Sequence, residues 1–230
     1  MINVTKLNEV AIVVDTEPGI EHEIADYFTF TVPGHQFMPT FRSKMWDGKI
    51  RLYSHTNRTL YSGLLERLEQ FAEERNYPIH FDRSIDRAKE FSAQKAKKTI
   101  EQLKLPFPMR DYQMKAFIHA VRNRRCLLLS PTASGKSLVI YSLVRYHKNK
   151  KCLIIVPTVS LVSQLHSDFK IYSAADNWDV YKNTHCIMEG KTKDSNKPII
   201  ISTWQSIYKM PKKYFDQFDV VIGDEFHLFK

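Results

Sequence analysis

The chain has 230 residues, 43% of them hydrophobic and 26% charged, and a formal net charge of +9. That is enough apolar material for a sizeable core in one large or two small domains. No apolar run reaches the roughly 20 residues a membrane span needs, and residues 1–8 lack the charged-then-apolar layout of a secretion signal, so a soluble cytoplasmic protein without a membrane partner is expected.

The positive charge is unevenly placed. Residues 1–82 carry a net −4, residues 83–126 a net +8 and residues 127–230 a net +5, so the middle of the chain is the basic part. Such an excess suits a polyanion, because Lys and Arg release counterions when they neutralise phosphates. Three cysteines, Cys126, Cys152 and Cys186, are odd in number and far apart. The first two lie in apolar runs, and buried free thiols are expected in preference to disulfides or zinc ligands.

In chain order, a β-branched run at 10–14 predicts a strand, and Ile20, Ile24, Tyr27 and Phe28 follow at helical spacing. The stretch from Phe37 to Tyr53 interleaves Arg42, Lys44, Lys49 and Arg51 with Phe41, Trp46 and Tyr53. Cations with aromatic faces between them suit nucleic acid, the charges meeting phosphates and the rings stacking on bases. The same stretch also reads as a hairpin turning at Asp47-Gly48, with Trp46 filling a small core. Acidic residues crowd positions 9–26 and basic ones positions 42–58, which marks one side for polyanions. Leu64, Leu65, Leu68, Phe71 and Ala72 predict a helix, and residues 78–81 a closing strand.

Residues 83–108 read as a basic linker or helix ending at Leu105-Pro-Phe-Pro108, whose prolines stop a helix. Beyond 109 the pattern becomes helix, buried strand, glycine loop, helix, buried strand, as in a parallel α/β sheet. Four short apolar runs, 126–129, 152–156, 198–202 and 219–223, are the expected strands. The division is then 1–82 as a small α+β unit for substrate, 83–108 as the linker and 109–230 as the α/β unit.

Ser130-Pro-Thr-Ala-Ser-Gly-Lys-Ser137 lies between a predicted strand and a predicted helix, the setting of a phosphate-binding loop. Thr132, Ser134 and Gly135 would bring backbone N–H groups to the phosphates of ATP. Lys136 would reach the β and γ phosphates, and Ser137 would offer a hydroxyl to Mg²⁺. Ser130 stands where the pattern has its first glycine. Some 90 residues on, the run at 219–223 ends in Asp224 and Glu225. Asp224 would hold Mg²⁺ and Glu225 would orient or deprotonate the attacking water, so Lys136, Asp224 and Glu225 are the catalytic candidates.

Asp-Glu-x-His beside Pro-Thr-x-x-Gly-Lys-Ser resembles the DExH branch of superfamily 2 helicases. Arg110-Asp-Tyr-Gln113 resembles the element that recognises adenine in those proteins, with Gln113 on the base and Arg110 beside it. Pro157-Thr158 and the segment holding Thr203 resemble motifs that contact the nucleic-acid backbone, and His227 would couple the ATP site to strand movement. Locally, Thr158 also reads as a helix cap and Trp204 as a core aromatic. Taken with Trp-Asp-Gly-Lys-Ile-Arg-Leu at 46–52 and Pro-Lys-Lys-Tyr-Phe-Asp-Gln-Phe at 211–218, the chain resembles phage UvsW-type recombination helicases over nearly its whole length.

The resemblance implies a RecA-like P-loop NTPase lobe with a parallel sheet, preceded by a small α+β domain, acting as a monomer on DNA, branched or duplex or else single-stranded, in the host cytoplasm. It implies ATP and Mg²⁺ as cofactors. Such motors hydrolyse ATP between two lobes, the second supplying an arginine worth about 10³ to 10⁵ in rate. With one lobe, the chain is expected to bind ATP and hydrolyse it poorly. An RNA helicase and a DNA-binding switch ATPase or restriction motor subunit are the alternatives.

Overall fold

The computed structural model describes residues 1–83, 85, 91–188 and 192–228. Residues 84 and 86–90, the start of the basic stretch, lie outside them. The chain divides into two compact units at Arg87 and Ala88.

The first unit is built on a five-stranded sheet in the order β5-β6-β2-β1-β7. These strands are β1 (Ile2–Lys6), β2 (Ala11–Asp15), β5 (Tyr53–Ser54), β6 (Thr59–Tyr61) and β7 (Ile79–Phe81). All neighbours are antiparallel except β1 and β7. The alternation of buried Ile2 and Val4 with less buried neighbours, matched by Ile12 and Val14 on β2, is the period-2 pattern of a sheet with one packed face. Helices α1 (Pro18–Tyr27) and α3 (Leu65–Glu74) supply the opposing apolar layer. Leu68, Phe71 and Ala72, spaced by three and four, fall on one side of α3 and are fully buried, joining Ile24 and Phe28. A separate two-stranded ribbon pairs β3 (Thr29–Thr31) with β4 (Lys49–Arg51), and the short helix α2 (Pro39–Arg42) lies between them in sequence.

The second unit has a four-stranded, all-parallel sheet in the order β11-β8-β10-β9. Its strands are β8 (Cys152–Val156), β9 (Thr184–Ile187), β10 (Ile199–Thr203) and β11 (Val220–Gly223). Buried on both faces, β8 is a continuous apolar run, and β10 is apolar through Ile201 before the buried Ser202 and Thr203. Helices α4 (Ala93–Gln102), α5 (Asp111–Asn123), α6 (Lys136–Tyr146) and α7 (Val159–Tyr172) contribute to its main core. Three single-turn helices, α8 (Val180–Asn183), α9 (Trp204–Ile207) and α10 (Lys212–Phe215), complete the unit.

One outcome fills in the sequence reading and one departs from it. Within the basic stretch, Ser92 caps α4 by accepting the Lys95 N–H, and Ala96, Ile100 and Leu103 bury against the second unit's core. The run at 126–129 forms no strand, and Leu127 and Leu129 there are exposed by 69% and 91%, with Cys126 exposed as well. A strand exists only through its ladder, and among the described residues β11 pairs with β8 alone and nothing pairs with 126–129. Apolar content alone therefore could not make this run a strand or bury Cys126, whereas Cys152, inside β8, is buried.

Candidate nucleotide site

The phosphate loop runs from Ser130 into α6. Gly135 has φ +78° and directly precedes the helix, a conformation that costs any residue with a Cβ. A Cβ there would also come within 2.4 Å of the Gln113 amide nitrogen. Glycine is thus required twice over, by backbone and by neighbour. Ala133 is also left-handed, at φ 62°, so the loop stores strain next to its phosphate-facing end.

Gln113 is the buried polar pin of this site. Its carbonyl oxygen accepts the Arg110 N–H at 2.9 Å, and its amide donates to the Ser134 carbonyl at 2.9 Å. Tyr112, one residue earlier, donates its hydroxyl to the same carbonyl at 3.0 Å, and the Arg110 guanidinium donates to Tyr112 Oη at 2.9 Å. The three residues therefore fix the loop as a unit. Ser134 is buried and bonds to the Ser130 hydroxyl, so the serine that replaces the usual glycine ties the loop to its own stem.

Lys136 pairs with Glu225 across 89 positions. The contact brings the loop to the carboxylates that end β11. Asp224 is anchored by its backbone N–H to the Ile155 carbonyl on β8, and the Glu225 N–H donates to the Asp224 carboxylate at 3.1 Å. The two acids sit in opposite electrostatic settings. Burial pushes the Asp224 carboxyl above the usual range, with Lys136 opposing. The hydrogen bond from Lys136 holds the Glu225 carboxyl below it. Glu225 is itself left-handed at φ 52°, and exposed His227 lies 3.5 Å from its carboxylate.

Oxygen donors for a hard cation are present: the half-buried Asp224 carboxylate and the Ser137 hydroxyl on the first turn of α6. Ser137 Oγ is 2.8 Å from the Tyr172 hydroxyl. A hydroxyl has two lone pairs, so this contact leaves one for a metal, and the donor set fits Mg²⁺. Thr132 stands in the loop ahead of Ala133 and is exposed.

The remaining sequence candidates are elsewhere. Thr158 follows Pro157 and caps α7, accepting the Leu161 N–H. Thr203 is buried and caps α9, accepting the Ser206 N–H at 3.3 Å. In the first unit, Arg42, Lys44 and Lys49 are exposed, and Arg51 is paired with Asp47. Trp46 is half-buried outside the core, its indole donating to the Lys49 carbonyl at 2.9 Å. Sequence reading passed over Tyr112 and Tyr172. Tyr112 had a signal, its place beside Gln113. Tyr172 had none, since its partner is 35 positions away.

A parallel α/β lobe with a glycine loop at a helix start, and a lysine from that loop on strand-end carboxylates, defines a RecA-like P-loop NTPase lobe. The chain belongs to the family described as the type III restriction enzyme res subunit, which residues 106–230 match, and residues 2–82 match the family described as the N-terminal part of the DNA helicase UvsW. It is 34% identical over 227 residues to the ATP-dependent DNA helicase uvsW of Enterobacteria phage T4, an alignment spanning 94% of this chain and 44% of that protein. Two crystal structures of the phage T4 UvsW helicase superpose with TM-scores of 0.84 at 32% identity. One is covered over 84% of its length with all of this chain aligned, the other over 47% with 98% aligned. The chain thus spans less than half the length of the full relative.

Proposed function

We propose that this chain is the ATP-binding lobe and substrate-gripping unit of an ATP-dependent DNA helicase or translocase that acts on branched DNA in recombination, repair and remodelling of stalled forks. The observation that carries the reading is the Lys136 to Glu225 contact beside Asp224, which joins the phosphate loop to the acidic strand end. Similarity to the phage T4 helicase supports DNA as the polymer. The proposed setting is a monomer in the cytoplasm, with residues 1–82 gripping DNA through Arg42, Lys44, Trp46, Lys49 and Arg51, and with Pro157, Thr158 and Thr203 on the backbone at the motor.

In this mechanism Gly135 lets the chain approach the phosphates and the N–H groups opening α6 face them. Lys136 moves from Glu225 to the β and γ phosphates, which frees the Glu225 carboxylate to orient and deprotonate the attacking water. While Lys136 is paired with it, Glu225 is held below the usual carboxylate range; departure of Lys136 releases that hold and makes the carboxylate a better base. Asp224 and Ser137 would hold Mg²⁺, which would supply charge neutralisation for the phosphates. In this reading Gln113 and Arg110, which steady the loop, also recognise the adenine, and His227 relays the state of Glu225 outward.

The test is ATP hydrolysis by this chain and by a version extended to the length of the phage relative, each with forked DNA, single-stranded DNA, RNA or no polymer. Stimulation by DNA in the extended version is expected. Equal stimulation by RNA would favour an RNA helicase, and indifference to every polymer would point to a switch ATPase. Lys136→Ala should lower ATP affinity at least 10-fold, and unchanged affinity would refute the site.

A further inference from the structure

The segment from Thr29 to Arg51 stands outside the core of its own unit, and Gly48 is its one buried residue. It is nevertheless held in shape. The Met38 carbonyl accepts the N–H groups of Phe41 and Arg42, and the Thr40 carbonyl accepts those of Met45 and Trp46. The His35 ring bonds the Val32 carbonyl at 2.9 Å and packs so close to Gly48 that a Cβ there would come within 2.5 Å of it.

On this scaffold large apolar side chains face solvent. Phe37 is 69% and Met45 83% exposed, while Phe30 and Ile50, opposite each other across β3 and β4, are both exposed. Apolar surface fixed in water with no core behind it marks a binding site. Exposed Arg42, Lys44 and Lys49 are interspersed with these side chains along the segment, so the ligand is anionic and has apolar faces. A duplex shows phosphates but hides its base faces by stacking, whereas unpaired nucleotides show both.

We propose that residues 29–51 form a site for unpaired DNA, in which Phe37, Met45 and the Phe30–Ile50 pair take base faces and Arg42, Lys44 and Lys49 take the adjoining phosphates. This rests on the reading that the first unit grips DNA and adds that it grips single strands, such as those at a branch point. Arg51 is held by Asp47, whose carboxyl is lowered to about 2 chiefly by that hydrogen bond, so it braces the ribbon while its exposed guanidinium stays at the edge of the phosphate path.

The experiment is fluorescence anisotropy of the whole chain with oligothymidine, a blunt duplex and a fork with unpaired arms, comparing wild type with the double variant Phe37→Ala, Met45→Ala. Both side chains are exposed, so circular dichroism should be unchanged. The double variant is expected to lose about 10-fold or more in affinity for oligothymidine and fork while keeping its duplex affinity and its salt slope. Equal loss on duplex, or no loss on any DNA, overturns the base-face site. Wild type that binds no DNA would instead sink the underlying DNA reading of this unit. Self-association of wild type that the double variant abolishes, with DNA affinity intact, would overturn the proposal in favour of contact between copies.

Discussion

At the residue scale, Lys136 favours the ionised form of both acids near it, and at Asp224 burial outweighs it. The lowered pKa of Glu225 means its pairing stabilises the fold above the ordinary carboxylate range and is lost as pH falls through the lowered value. Asp224 acts in the opposite sense. Its raised pKa gives a contribution present below the ordinary range and lost as pH rises through the raised value. Lys136→Ala should therefore move both titrations upward, Glu225 back toward its ordinary value and Asp224 further from it. Carbon-13 carboxyl shifts against pH would show this, and a Glu225 that does not move would mean the pair does not form in solution. Gly135→Ala makes a separate case. An L residue in the left-handed region costs about 1–2 kcal/mol, and the new methyl meets the Gln113 amide. A lower melting temperature together with lost nucleotide binding is expected. The melt would rise back toward wild type if Gln113 is shortened to Ala in the same chain only to the extent that the clash, not the dihedral, dominates.

At the element scale, α3 closes the first unit. Phe71 is fully buried among α1 and the sheet, with the Tyr27 ring at 5.1 Å and the Arg75 guanidinium over its face at 4.3 Å. Phe71→Ala should cost about 3–5 kcal/mol, measurable by urea denaturation, and a cost below about 1 kcal/mol would mean that the helix is not packed as described. This helix was legible because Leu68, Phe71 and Ala72 repeat at its period. The short strands β3 to β6 were not, since two or three residues carry no periodicity and their pairing is decided by partners far along the chain. The run at 126–129 shows the converse. Its composition reads as strand, yet strand formation needs a neighbour's backbone, and sequence composition does not report whether one is there. The acidic strand end and the glycine loop were legible as separate motifs. Their junction through Lys136 and Glu225, and the Tyr172 contact with Ser137, belong to tertiary structure and have no local trace.

At the scale of the whole molecule, each unit owns a core: twelve buried residues from Ile2 to Ala72 in the first, and two clusters beginning at Phe91 and Leu153 in the second. Residues 1–87 expressed alone should accordingly melt cooperatively, with Phe71→Ala lowering that melt; a broad, non-cooperative trace would show that the first core does not suffice. The second unit carries a different liability. The outer row of N–H and C=O groups on β11 has no partner among the described residues, Val221 there is exposed, and so are Leu127 and Leu129. An open edge and exposed apolar side chains are each a template for sticking to another molecule. Concentrated solutions of the 230-residue polypeptide should accordingly turn cloudy on standing, sooner in high salt, where the repulsion of its +9 charge is screened.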